Sequence, residues 1–578
     1  MKPTFATMFL VALTIALLAP THSSAQPPDT VIVYANAPGS GGPTIEQFIG
    51  GDTTAAGVQN NHVYVLQQTG SVIDTPYYYQ AALYPKGDIT IIGKTNPATG
   101  MPPVIQPWKL LNNTAPSNFI IMNKPGTITL KNLYFLGQRI DSVQATANLM
   151  NISGSPDKII MDHCVIDNAN GTVMNFTGTG GSVFVTNCEM RNVSNQFWRS
   201  GVLMWENSPN AMDTVVMQNN TFFLLGRSII GGPYPFQYFV LNHNTVFLSS
   251  DAALNSTHQI NATITNNVFY GVDAHGIDST SVVGPPGPGN DAHQPYGVIM
   301  TDSLKGYETI YGITEQDRNV AVSNNAYFWP QGLLDMWKTI NDTATTWYIA
   351  RPTWMNPQTA SMFGNPTGWP GFVAANNDSV DPGFDASLVS TSVTNLVQFE
   401  ELVGWQTPFG PWKDAGAFRW WQLWTNPYPG HVFDRVPAGW NSWSKGYPVP
   451  ENLRYSNTLL QHAGTDGLAL GDLNWFPEQV TDVQSKGNPI PSTFNLGNNY
   501  PNPFNPTTSI KVSLDRSGVM SLQVYNVLGQ LVSVVEEGYK PAGQYTFNVS
   551  MDKFASGVYF YTLRQGSNIA TKKMILMK

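Results

Sequence analysis

From Thr127 onward, apolar and polar residues alternate within nine-residue windows that recur along the chain. The windows are Thr127–Phe135 (TITLKNLYF), Lys158–Ile166 (KIIMDHCVI), Ser182–Met190 (SVFVTNCEM) and Thr214–Phe222 (TVVMQNNTF). Tyr238–Val246 (YFVLNHNTV), Asn261–Phe269 (NATITNNVF) and Asn319–Tyr327 (NVAVSNNAY) continue them. Their starts lie 31, 24, 32, 24, 23 and 58 residues apart, the last interval covering two turns or one turn with an insertion. Period-two alternation predicts strands with one buried face. Polar or small residues interrupt it at the sixth and seventh positions. The sixth reads Asn132, His163, Asn187, Asn219, His243, Asn266 and Asn324; the seventh reads Leu133, Cys164, Cys188, Asn220, Asn244, Asn267 and Asn325. Asparagine tolerates the left-handed backbone needed where a strand turns a corner. An amide recurring once per turn can also stack on the next, since adjacent strands lie about 4.8 Å apart. Repeats of strand, corner and strand at this length predict a parallel β-helix. Val31–Tyr34, His62–Leu66, Ile89–Ile92 and Phe119–Met122 fit the same scheme upstream.

Over about residues 30–330 this repeat pattern resembles the right-handed parallel β-helix proteins of the pectate-lyase-like superfamily, with no single catalytic motif accompanying it. The resemblance implies a solenoid. For its lyases it also implies Ca²⁺ held on carboxylates and an Arg or Lys that takes a C5 proton from an acidic glycan. No cofactor follows unless the chain is such a lyase, and no metal site is assigned.

Composition sharpens the picture. Charged residues make up only 12% of the 578, about half the usual share, while aromatics reach 12%, which excludes a disordered chain. A net charge of −9 gives no footprint for nucleic acid. The charge is uneven: Lys486–Lys578 holds 9 Lys+Arg against 4 Asp+Glu, net +5, so the rest carries −14. Lys2, the apolar run Phe9–Ala19 and the small residues Ser23-Ser24-Ala25 before Gln26 read as an export signal cleaved between Ala25 and Gln26. That run is too short to span a bilayer, and no other stretch qualifies, so no transmembrane helix is expected.

Thirteen of the 16 Trp fall between Trp329 and Trp475. Strand signals are weak there, and the section reads as late coils with long loops packed over the solenoid. Within it, Asn452–Gln479 resembles the closing turns of secreted bacterial β-helix proteins, on Thr465-Asp466-Gly467-Leu468 and Gly471-Asp472-Leu473-Asn474-Trp475. Beyond about Pro491, four or five alternating strands between Gly, Pro and Asn turns predict a small Ig-like antiparallel sandwich. Tyr500-Pro501-Asn502-Pro503, Tyr525-Asn526 with Gly529, Ala555-Ser556-Gly557-Val558-Tyr559 and the terminal Lys572-Lys573 resemble the type A sorting domain of the type IX secretion system of Bacteroidetes-like bacteria. That implies Sec export to the periplasm, then passage by the type IX machinery to the outer-membrane surface or the medium, with release or attachment to surface lipopolysaccharide. The fold expected is therefore all-β: an export signal over 1–25, a parallel β-helix over 26–330, Trp-rich coils and loops over 331–485, a linker over 486–499 and the sorting sandwich over 500–578.

Candidate chemistry is sparse. Cys164 and Cys188 hold equivalent positions 24 residues apart, at a separation a disulfide spans; a bridge and a pair of buried thiols replacing ladder amides remain equal alternatives. Trp198, Arg199, Trp205 and Glu206 gather in one loop, the best sugar-site candidate, with Arg199 and Glu206 as its catalytic pair and Trp198 and Trp205 as stacking surfaces. Asp167 and Arg191 read as a surface ion-pair rung. Asp273–His275 and Asp291–His293, each Asp-Ala-His, read as solvated turns. The expectation is a cell-surface or secreted protein that binds an extracellular polysaccharide or serves structurally, with a polysaccharide lyase or hydrolase as the alternative.

Overall fold

The computed structural model describes residues 30–403, 451–479 and 494–578, apart from 69–74, 113, 138–147, 168, 170–171, 179, 192, 194–202, 207–211, 226–227, 233–234, 250–251, 257, 274–276, 279–296, 305–306, 344–348, 515–517, 541–542 and 566–567. Each window folds as two short strands joined by a left-handed residue. All seven sixth-position residues have φ between 52° and 61°, and Asn376 (φ 53°) forms an eighth corner downstream. Asn and His are among the few residues that adopt this conformation readily, so the corner fixes the residue type.

Strands before the corner form an 11-stranded parallel sheet, and strands after it a 10-stranded parallel sheet. Registry is residue for residue: Lys158–Asp162 pairs with Thr127–Lys131 on one side and Ser182–Thr186 on the other. A third parallel sheet of six strands runs from Ile120–Met122 to Leu254–Ser256. Phe119–Met122 therefore belongs to the third sheet rather than the first, because the chain still has to turn into Thr127–Lys131 to begin the next rung. Strands join their sheets in chain order, which is a parallel β-helix. Ile159, Met161, Val185, Val215, Met217 and Leu241 fill its interior with no exposed surface.

The section after Trp329 differs from the reading of coils and loops. Phe372–Ala375 and Asp378–Ser379 add one more turn. Helices Gln331–Thr343, Pro357–Phe363 and Ala386–Val403 account for much of the rest. Leu333, Met336 and Trp337 recur at helical spacing and are buried, a period that a search for alternation misses. Helices 331–343 and 386–403 meet at Gly332, where a Cβ would stand 2.9 Å from Val393 Cγ1. Among the described residues no helix is long and apolar enough to cross a membrane.

The C-terminal module is an antiparallel sandwich of seven strands, not four or five. Three strands (Asn495–Tyr500, Thr507–Leu514, Gly543–Ser550) face four (Gly518–Tyr525, Leu531–Lys540, Gly557–Gln565, Asn568–Leu576). Gly518–Tyr525 and Leu531–Lys540 are joined by the tight turn Asn526–Gln530, in which Gly529 has φ 77°. Leu522, Tyr561 and Leu563 centre a core separate from that of the solenoid.

Candidate functional site

Because side chains alternate across a strand, the first and third residues after each corner pair point out of the solenoid from the second sheet. The third of these forms one column in register: Leu136, Asp167, Arg191, Phe223, Phe247, Tyr270, Phe328. Charged at Asp167 and Arg191 and aromatic from Phe223 onward, this outward face is covered over most of its length.

The polar rungs lie beneath segment 451–479. Arg191 donates to Asp167 Oδ2 at 2.8 Å and to both carboxylate oxygens of Glu451, with Nη2 at 3.1 Å from Oε2. Tyr134 donates to the same Asp167 oxygen at 2.6 Å. The rung read as a surface ion pair is thus a buried one, since Glu451 closes over it and leaves Arg191 with no exposed surface. Burial, then the Glu451 carboxylate, push the Glu189 carboxyl well above the ordinary range. The closing-turn motif does not form turns of the solenoid. It runs as a strap across the corners: Thr465 bonds Asn266, Asp466 meets His243 Nε2 at 2.9 Å, and Asn474 donates to the Asn219 carbonyl. Asp472 accepts from Thr221 Oγ1 at 2.7 Å, and its own N–H donates to Thr245 Oγ1 at 2.9 Å. Burial pushes the Asp472 carboxyl up to about 7.

Farther along the column the rings stack. Phe223 and Phe247 lie 5.3 Å apart, and Phe247 and Tyr270 5.1 Å, with Phe384 meeting both Phe247 and Tyr270 edge-on. The stack leads into a cleft of about 920 Å³ between the last turns and helices 331–343 and 386–403. Tyr270, Phe328, Trp329 and Phe384 supply its aromatic wall, and Arg351 and Asp381 its charged groups. The Arg351 guanidinium sits 5.1 Å from the Trp329 ring, while the Trp329 indole N–H donates to the Val272 carbonyl. Arg351, Asp381, Gln331 and Ser390 are exposed at the rim.

At the other end of the chain, the module's two marked stretches meet. Asn502 Oδ1 accepts from the Ile575 N–H at 2.9 Å, and Lys572 Nζ donates to Asn498 Oδ1 at 2.8 Å. Phe504 bridges to the last strand, Tyr559 donates to the Ala555 carbonyl, and Tyr500 is left 82% exposed. Tyr500-Pro501-Asn502-Pro503 thus docks against the strand that carries Lys572 and Lys573. Residues 498–577 match the secretion system C-terminal sorting domain. The chain is therefore a secreted protein, delivered by the type IX system to the cell surface or beyond, and it engages that machinery through this tail. No curated protein matches the sequence.

The loop that the sequence singled out as a sugar site lies largely outside the described residues. Trp198 and Arg199 lie outside the described residues, as do Ala25 and Gln26. Trp205 and Glu206 fall on Met204–Glu206, a strand of the third sheet, their side chains outside the description. Asp273 is a buried left-handed residue, while His275, Asp291 and His293 lie outside the described residues. Cys164 and Cys188 are buried free thiols on adjacent rungs, the Cys164 N–H directed at Cys188 Sγ at 3.4 Å. The cleft residues were missed, although a signal existed: Phe223, Phe247, Tyr270 and Phe328 repeat at the window spacing, one residue past each window's end. Among the described residues the cleft lining holds one carboxylate and one cation.

Proposed function

We propose that the chain is a glycan-binding passenger of the type IX system, built on a β-helix of the pectate-lyase-like kind, and that it binds at the cleft between Tyr270, Phe328, Phe384 and Arg351. The observation that carries this reading is one cleft with exposed polar groups at its rim and an aromatic lining, in which Phe328 is half-buried and Tyr270, Trp329 and Phe384 are its buried backing. Sugar rings present apolar C–H faces that lie on aromatic surfaces, and their hydroxyls take the polar groups that fix orientation. The stack behind the wall is packed against the strap through Phe384 and Tyr455, so the surface is preformed. A ligand would meet little ordering cost there.

Retention on a panel of immobilised polysaccharides tests it. The full chain should be retained by at least one, and Arg351→Ala or Gln331→Ala, both exposed, should weaken retention without lowering the melting temperature. Retention by none would sink the reading. Release of unsaturated uronate products would replace binding with lyase chemistry.

A further inference from the structure

The charge of the cleft narrows what it holds, an argument that rests on the glycan-binding reading above. Among the described residues Arg351 and Asp381 are the charged groups of the lining, and they balance one another. The guanidinium of Arg351 is engaged with the Trp329 ring, and the other polar groups, Gln331, Ser379, Ser390 and Thr394, are neutral. Burial, then Asp381, hold the Tyr270 phenol above its usual range, which keeps its hydroxyl uncharged. The chain outside Lys486–Lys578 carries a net charge of −14, and −15 without Lys2 of the export signal.

A polyuronate brings a carboxylate on every ring. One could meet Arg351; each further one would be enclosed without a partner, in a repulsive field. A neutral chain needs only stacking and hydroxyl hydrogen bonds, and Arg351 as donor with Asp381 as acceptor serve both ends of a diol. We infer that the cleft takes an uncharged glycan, laid against the half-buried Phe328 ring and oriented by Arg351 and Asp381. At about 920 Å³ the cleft is near the top of the range for small-ligand sites, so the ligand is an oligosaccharide stretch rather than a single ring.

Titration calorimetry of the full chain decides it, with oligosaccharides of neutral glucan, xylan and mannan set against those of polygalacturonate and alginate, each at low and at physiological salt. Binding to a neutral series is expected, with Kd constant within about 2-fold between the two salts. Arg351→Ala and Asp381→Asn should each weaken it about 10-fold, the loss of one charge-assisted hydrogen bond. Binding of the acidic series alone or equally well, an affinity that falls steeply with salt, or neutral binding indifferent to both substitutions would each overturn the inference while leaving a glycan-binding protein. No binding to either series would overturn the glycan reading itself.

Discussion

Asn244 serves three rungs at once. Its Nδ2 donates to the Met217 carbonyl at 3.0 Å and to Asn267 Oδ1 at 3.0 Å, while its Oδ1 accepts from both the backbone and the side chain of Asn220. Asn267, Asn325 and Asn377 repeat the scheme. The sixth and seventh residues of each repeat thus divide the two roles that asparagine was expected to fill, one turning the corner and one pairing the interior polar groups. Removing a buried partner costs about 1–3 kcal/mol for each group left unpaired. Asn244→Ala should therefore lose about 2–5 kcal/mol, read as a lowered urea midpoint of solenoid unfolding; a loss below about 1 kcal/mol would show the ladder to be ornamental. At Cys164 and Cys188 sulfur takes over the ladder position, Cys188 Sγ accepting from Cys164 and donating to the Thr186 carbonyl. Burial, then the neighbouring Cys164, push the Cys188 thiol up, which leaves it an unreactive nucleophile. We expect two thiols to alkylate only after denaturation without reductant. A mass two hydrogens short, with no thiol titrated, would mean that the pair is bridged.

Between strands and helices, the strap Glu451–Gln479 is the element least legible from sequence. Its closing motif could be recognised, but nothing in its spacing says which rungs it crosses, because its partners lie some 200 to 260 residues away. The corners were legible for the opposite reason, since a left-handed residue is a local demand. Its anchor is the buried Arg191–Glu451 pair, and truncating one member of such a pair typically costs about 3–5 kcal/mol because the other charge stays enclosed. Glu451→Ala should lower the unfolding midpoint accordingly, whereas Arg454→Ala, whose Glu478 pair is exposed, should change it little. The strap also titrates. Asp472 keeps its proton up to about pH 7 when folded and releases it near 3.8 when unfolded. Its contribution is thus complete below about pH 4 and falls as pH rises towards 7. Glu189, held well above its ordinary range, and His163, raised first by its hydrogen bond to Asp162, act in the same direction. Asp162 and Asp466 are lowered and titrate below that window. Urea midpoints measured from about pH 4 to about pH 7 should fall for the parent and fall less for Asp472→Asn; equal slopes would remove Asp472 as a source.

For the molecule as a whole, the low charge fraction resolves into two parts. The solenoid spends little charge because its rungs repeat the same position at strand spacing, where like charges would face one another and amides do not. The tail is the part with a positive balance, net +5 over Lys486–Lys578. Among the described residues no buried one belongs to both cores, so neither draws on the other's packing for its interior. Deleting Tyr500–Lys578 should therefore separate export from folding. The truncated chain should collect in the periplasm with the melting temperature of the parent's solenoid transition and unchanged resistance to protease, because the strap and the ladder lie wholly upstream. Surface display at the parent level would remove the tail as the sorting element. Aggregation or rapid proteolysis of the truncated chain would instead show that the solenoid needs the sandwich to fold. A milder change discriminates further: Asn502→Ala removes the side-chain acceptor of Ile575 without touching the sandwich core, so it should loosen the docking of Tyr500–Pro503 on the last strand. If recognition reads that docked edge, export should drop while the sandwich's own unfolding free energy changes by no more than about 1 kcal/mol.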